Sequence, residues 1–171
     1  GFISEPDFYD KAIKFTLFKN LDNKYSTLEE YKGLISANQT DKDNNIVILY
    51  ATDADEQYSF IQSAKEVGYD VIILDEAIDG YFINAIEQKN EKVKFVRVDA
   101  DVTSKLIDKG EDSPSKLSEK ETEKVKGIFE GMVDKSNYTV VTENLGENDL
   151  PIIITMNEFM RRMKDMSKIN G

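Results

Sequence analysis

Apolar residues follow two patterns along this chain: short runs near the centre, and spaced stripes on either side of them. The runs are Ile46–Ala51, Val71–Leu74 and Phe95–Val98. Runs of this length are typical of strands that are buried on both faces. Between them, stripes at helical spacing over 58–67 and 78–86 predict two helices, the first ended by Gly68. The order is β-α-β-α-β, and right-handed crossovers predict a small three-layer parallel sandwich.

The segment before the first run has a helical pattern. Ser4–Asp7 and Ser26–Glu30 have the composition of helix starts, and Asn20–Lys24 is a polar turn between them. The apolar positions at helical spacing are Phe8, Ala12, Phe15, Leu17, Phe18, Leu28, Tyr31, Leu34 and Ile35. We therefore expect a helical lead-in over residues 1–45.

Beyond the third run the composition becomes charged, with Ser, Pro and Gly. This predicts a connector over 101–117, with a short helix near 102–107. The pattern of residues 118–171 then predicts a truncated α+β unit. Its expected elements are a helix capped at 118–121, strands at 138–142 and 151–154, and a final helix opened by a capping box at 155–158. The predicted fold class is α/β, with the sandwich at 46–100.

The final helix concentrates the methionines of the chain. Its apolar stripe comprises Met156, Phe159, Met160, Met163 and Ile169, with Met166 near the edge of the stripe, and basic residues lie on the other side. Flexible thioether side chains suit a surface that accepts varied apolar partners. The same stripe is also compatible with packing against the strands before it or against a further part of the protein. The pattern alone leaves both interpretations open.

Composition excludes several kinds of chemistry. The 171 residues contain no histidine and no cysteine, which excludes imidazole or thiolate metal ligands, cysteine and histidine nucleophiles, and disulfides. A net charge of −11 argues against nucleic-acid or anionic-membrane partners. No apolar run approaches the length of a membrane span and no secretory signal pattern opens the chain, so we expect a cytoplasmic protein.

Acidic residues follow the predicted strands in pairs. They are Asp53 and Asp55, Asp75 and Asp79, and Asp99 and Asp101. Carboxylates at the carboxyl ends of parallel strands suggest a magnesium-dependent phosphoryl-transfer or receiver-like site. The competing interpretation is that they are helix caps, because Asp is favoured at helix starts. The first strand–helix turn has no glycine, which argues against a dinucleotide site.

Three segments together resemble the heat-shock protein 90 chaperone family, most closely its bacterial HtpG branch. They are KYSTLEEYKGLI, IVILYATDADEQYSFIQSAKEVGYDVIILDEAIDGYFINAIEQK and VKFVRVDAD, and TVVTENLGENDLPIIITMNEFMRRMKDM continues the match. The resemblance implies the later part of the family's middle domain, with the C-terminal domain beginning at residue 118. It carries no catalytic signature, so we expect this segment to be non-catalytic and to hold no cofactor or metal.

The resemblance also implies properties of the complete protein. Family members are homodimers that use ATP and magnesium through domains without a counterpart here, and they act on non-native client proteins. The sandwich would then couple ATP-driven closure, through the other domains of the same chain, to the dimer interface. By position, Phe159, Met160, Met163 and Met166 match a helix of the family that is implicated in client contact.

Overall fold

A computed structural model describes residues 12–76, 79–110, 117–134, 136, 138–143 and 152–170; the side chains of 79, 165, 166 and 168–170 lie outside the description. The described residues form two compact units. The first contains those up to Gly110 together with those from Ile152 onward, and the second contains those between Glu111 and Pro151. The final helix of the chain is therefore part of the same unit as the sandwich.

The first unit is built on a five-stranded mixed sheet. Its strands are β1 (Phe18–Asn20), β2 (Tyr25–Ser26), β3 (Ile46–Ala51), β4 (Val71–Ile73) and β5 (Val93–Arg97), in the spatial order β2-β1-β4-β3-β5. Strand β3 lies between β4 and β5 and pairs in parallel with both, as the β-α-β-α-β pattern predicts. The outer pairs β1–β2 and β1–β4 are antiparallel.

Helices cover both faces of this sheet. They are α1 (12–15), α2 (Leu28–Ile35), α3 (Tyr58–Glu66), α4 (Asp79–Lys89), α5 (Thr103–Leu106) and α7 (Glu158–Asn170), while α6 (Glu119–Glu130) belongs to the second unit. Alternate residues of β3 point to opposite faces. Ile48 and Tyr50 join a core with α2 and α4, whereas Val47 and Leu49 join a second core with α3 and α5. The predicted α/β sandwich is confirmed.

The lead-in differs from its prediction. Leu17 and Phe18 were expected to continue a helix, but Phe18 begins β1, and the polar turn closes an antiparallel hairpin in which Asn23 has a φ of 59°. The physical reason is the aromatic contact available to the strand. The Phe18 ring lies 6.1 Å from that of Phe95 and 6.4 Å from that of Phe82, in the core between sheet and helices.

Three local signals for helix ends are confirmed. Thr27 and Glu30 form a reciprocal capping box at α2, and Ser118 and Glu121 form another at α6. Gly68 follows α3 with a φ of 80°, a conformation that glycine adopts without strain. The start predicted at Ser4–Asp7 lies outside the described residues.

Two predicted strands are wrong. The described residues 138–143 and 152–157 contain no strand. Val141, Ile152 and Ile154 are exposed there, so these apolar positions are not packed against a sheet. A strand needs a hydrogen-bonding neighbour, and an apolar run alone does not supply one. None of the described helices is long and apolar enough to cross a membrane.

Candidate functional site: the final helix and the edge of the sheet

Helix α7 begins at Glu158 and is capped by the residue before it. The Met160 backbone N–H donates to Asn157 Oδ1 at 2.9 Å. The capping box predicted at Thr155 and Glu158 is therefore wrong. The carboxylate of Glu158 bonds to the sheet instead of reaching back along its own chain.

The apolar side chains of α7 and of its approach are exposed. Phe159 is 70%, Met160 56%, Met163 57% and Met156 36% exposed. We call these four residues the methionine surface. The side chain of Met166, which the sequence places on the same stripe, lies outside the described residues. The methionine surface is therefore not packed into the core of the first unit, although its composition would suit a core.

The opposite face of α7 contacts the sandwich through charged groups, chiefly through Arg162. Its guanidinium donates to both carboxylate oxygens of Glu87 on α4, at 2.7 and 3.1 Å. It also donates to Asn84 Oδ1 at 2.8 Å, to Glu158 Oε1 at 2.7 Å and to the Phe95 carbonyl oxygen at 2.9 Å. Burial would lower the pKa of Arg162, but the hydrogen bonds to Glu87 and Glu158 outweigh it and raise that pKa. The cation is fixed in its charged form.

Glu158 makes the second connection between α7 and the sheet. Its Oε1 accepts from the Tyr50 hydroxyl at 2.8 Å, and its Oε2 accepts from the Arg97 backbone N–H at 2.9 Å. Burial, reinforced by the charge of Glu158, raises the pKa of Tyr50 above its ordinary value. The neutral Tyr50 hydroxyl is thus held as a donor to the carboxylate.

A third connection joins α7 to the turn after β5. Asp99 accepts from the Arg97 guanidinium at 2.8 and 3.1 Å, and it lies 3.3 Å from the guanidinium of Arg161. The side chains of Arg97, Asp99 and Arg161 are each less than a sixth exposed, so solvent screens these pairs weakly.

The hydrogen bonds and ion pairs of the acidic residues weigh against a metal site at the strand ends. Asp53 accepts from the backbone N–H groups of Asp55 and Glu56, as a capping residue does. Asp99 is neutralised by two arginines, and Asp101 accepts from the Val102 N–H. Within the described part of the chain, no group of three or more acidic side chains could hold a metal ion. Asp53 and Asp101 therefore bond to backbone N–H groups of their own turns, Asp99 is an ion-pair partner, and the side chain of Asp79 lies outside the described residues.

Sequence reasoning located the methionine surface but missed the residues beneath it. Arg161 and Arg162 were placed on the side of α7 opposite the apolar stripe, without a partner, and the structure shows that they face the sandwich. The four-residue spacing of Glu158 and Arg162 is a readable sign of an ion pair on one helix face. Nothing in the sequence joins that pair to Glu87 or Tyr50, which lie far away along the chain.

Comparison with known proteins gives consistent matches. No family model matches the chain. The chain is 44% identical over 174 residues to proteins named Chaperone protein HtpG from Bacteroides fragilis and Bacteroides thetaiotaomicron. It is 41% identical over 172 residues to the protein of that name from Porphyromonas gingivalis. These matches cover 99–100% of this chain but only 25–26% of each relative, so the chain spans about a quarter of their length.

Proposed function

Because the chain is a segment of the HtpG branch of the heat-shock protein 90 chaperone family, we propose that its methionine surface binds non-native polypeptide in an ATP-dependent chaperone. The observation that carries this proposal is the orientation of α7. Its charged side is used in contacts with the sandwich, and its most apolar side is exposed. A helix that served only the packing of the first unit would bury its apolar side.

The chemistry of the surface suits weak and varied binding. Apolar contact contributes about 25 cal/mol per Å² of area removed from water, so a few Met and Phe side chains supply several kcal/mol before ordering costs. Methionine side chains adopt many shapes at little cost, which allows one surface to fit many apolar sequences. We expect binding that is reversible and not specific for one sequence.

We further propose the place of this segment in the complete protein. Residues 1–117 form the later part of a middle domain, and residues 118–171 form the beginning of a C-terminal domain. The segment is non-catalytic, and ATP and magnesium bind in other domains of a homodimer in the cytoplasm. The sandwich couples closure of those domains to the dimer interface. This assignment rests on the matches to HtpG proteins.

The client-binding proposal is tested by removing the apolar character of the surface. Met160→Gln with Met163→Gln keeps the length and helix propensity of both side chains but makes them polar. The probe is a reduced and alkylated protein that stays unfolded, and its affinity is measured by fluorescence anisotropy. We expect a loss of at least about tenfold, which corresponds to roughly 1.4 kcal/mol.

A matched control separates this site from general surface hydrophobicity. Leu34 on α2 and Val67 after α3 are 62% and 52% exposed, which resembles the exposure of Met160 and Met163. Leu34→Gln with Val67→Gln should leave the affinity unchanged. Equal losses in the two double variants would contradict the proposal. Unfolding of the first unit by the methionine variants alone would show that the stripe is core.

A further inference from the structure

In the part of the chain that the structure describes, β5 is the last strand of the sheet and has one side without a neighbouring strand. Its partner β3 occupies the other side, with Ile48 opposite Phe95 and Tyr50 opposite Arg97. The Phe95 N–H, the Phe95 carbonyl oxygen and the Arg97 N–H point away from β3 and are bonded to side chains, while the Arg97 carbonyl oxygen accepts from the Ala100 N–H. Glu87 Oε1 accepts from the Phe95 N–H at 2.7 Å, and Glu158 Oε2 accepts from the Arg97 N–H at 2.9 Å. The Phe95 carbonyl oxygen accepts from Arg162 at 2.9 Å.

These side chains take the place of a neighbouring strand. Glu158 accepts where a backbone carbonyl of such a strand would accept, and Arg162 donates where a backbone N–H would donate. Because the two residues are four positions apart, they lie on one side of α7. Met160 and Met163 lie about half a turn away around the helix axis.

The contacts of Arg162 fix a rotation as well as a position. A planar guanidinium offers its donors in fixed directions, and here three directions are used at once. They are the carboxylate of Glu87 on α4, the carbonyl oxygen of Phe95 on β5 and the carboxylate of Glu158 on α7 itself. Turning the helix about its axis would break the contacts with Glu87 and Phe95, whereas the contact with Glu158 lies within α7 and would turn with it.

We propose that Arg162 is the positioning residue of the methionine surface: with Glu158 it binds α7 to the free side of β5 and so keeps Phe159, Met160 and Met163 exposed. Without the Arg162 contacts the rotation of the helix is held only by Glu158 and Arg161, and a smaller part of the population presents the surface. The effect on client binding rests on the proposed function, whereas the effect on the orientation of α7 does not.

The test measures the orientation of α7 directly. The 171-residue chain has no cysteine, so Glu91→Cys and Ser167→Cys, both exposed, provide two specific sites for spin labels outside the methionine surface. Pulsed electron paramagnetic resonance then gives the distribution of distances between the sandwich and α7. We expect a narrow distribution in the otherwise unchanged chain and one at least about twofold wider in Arg162→Gln.

Two further variants separate positioning from general effects of charge or folding. Lys164→Gln removes the same charge from an exposed position of the same helix and should leave the distribution narrow. Arg162→Lys keeps the charge but loses the planar fork, so it should be intermediate in width. If Arg162→Gln does not fold, the distance distribution of Arg162→Lys is used in its place. A distribution in Arg162→Lys that is as narrow as that of the parent then overturns the proposal.

Client binding is measured on the same labelled proteins. If about a third of the Arg162→Gln molecules present the surface, the apparent affinity for the alkylated unfolded protein falls about threefold. An unchanged distance distribution in that variant overturns the positioning role even if the parent binds the client. The distance distribution of Arg162→Gln can also be wider while the parent does not bind the client. That result supports the positioning role and contradicts the proposed function.

Discussion

Helices α4 and α7 both contact the sandwich, but they use opposite kinds of side chain. α4 packs onto the sheet with Ile83 and Ile86, which are 2% and 0% exposed. α7 contacts β5 and α4 with Glu158 and Arg162, and its described apolar side chains, those of Phe159, Met160 and Met163, are exposed. The two helices therefore show that amphipathicity alone does not decide which face of a helix packs inward.

The difference has an energetic meaning. Apolar burial is non-directional and scales with area, so α4 is held by its shape and volume. Charged hydrogen bonds depend on geometry, and a carboxylate or guanidinium left buried without its partner is costly. We expect changes in α4 to unfold the unit as a whole, and changes in α7 to alter the orientation of one helix.

The largest effect is expected for Ile86→Ala. Removing a fully buried branched side chain between α4 and the sheet should cost about 2–5 kcal/mol of the free energy of unfolding, because a cavity is left. Urea unfolding followed by circular dichroism measures this loss. A cost below about 1 kcal/mol would contradict the contrast between α4 and α7, since α4 would then not depend on apolar packing.

A smaller and more local effect is expected for Glu158→Ala. It leaves the Tyr50 hydroxyl and the Arg97 N–H without their acceptor, at a cost of about 1–3 kcal/mol. Hydrogen exchange of the α7 amides should become faster, while that of α4 stays slow. Equal acceleration in both helices would show that they are not held by separate kinds of contact.

A still smaller effect, which depends on pH, is expected for Tyr50→Phe. The loss of one hydrogen bond should cost about 1 kcal/mol at pH 8. Because the folded-state pKa of Tyr50 is raised, its contribution is complete below the unfolded pKa of about 10 and is lost as the pH rises through the folded value. The difference in urea midpoint between the parent and the variant should therefore narrow from pH 8 to pH 11. A constant difference would contradict the raised pKa.

The smallest effect on stability is expected for Met160→Gln. An exposed side chain replaced by one of similar length and helix propensity should change the free energy of unfolding by less than about 0.5 kcal/mol. The same urea titration checks this value. A loss comparable to that of Ile86→Ala would place Met160 in the core and would remove the contrast between the two helices.

The sequence predicts the sandwich well because its signals are local. Continuous apolar runs mark β3 and β4, and capping boxes mark the starts of α2 and α6. The hairpin of β1 and β2 is missed because three residues carry too little periodicity, and its formation depends on aromatic contacts with distant positions.

The candidate site is only partly predictable for the same reason. The stripe of Met156, Met160 and Met163 is readable from spacing alone, whereas the side on which it lies is not. The opposite side contacts the sandwich through Arg162, and its partner Glu87 is 75 residues away along the chain. A charged residue at a helical position gives no indication of whether it faces water or a carboxylate on another helix.

The way in which the two edges of the sheet are covered affects self-association. One edge is β2, a strand of only two residues. The other edge is β5, where side chains bond to the Phe95 N–H, the Phe95 carbonyl oxygen and the Arg97 N–H. A long edge strand with unpaired backbone groups would pair with extended polypeptide and would seed aggregates. With one edge short and the other occupied in the described residues, strand addition by another chain has little open backbone to pair with.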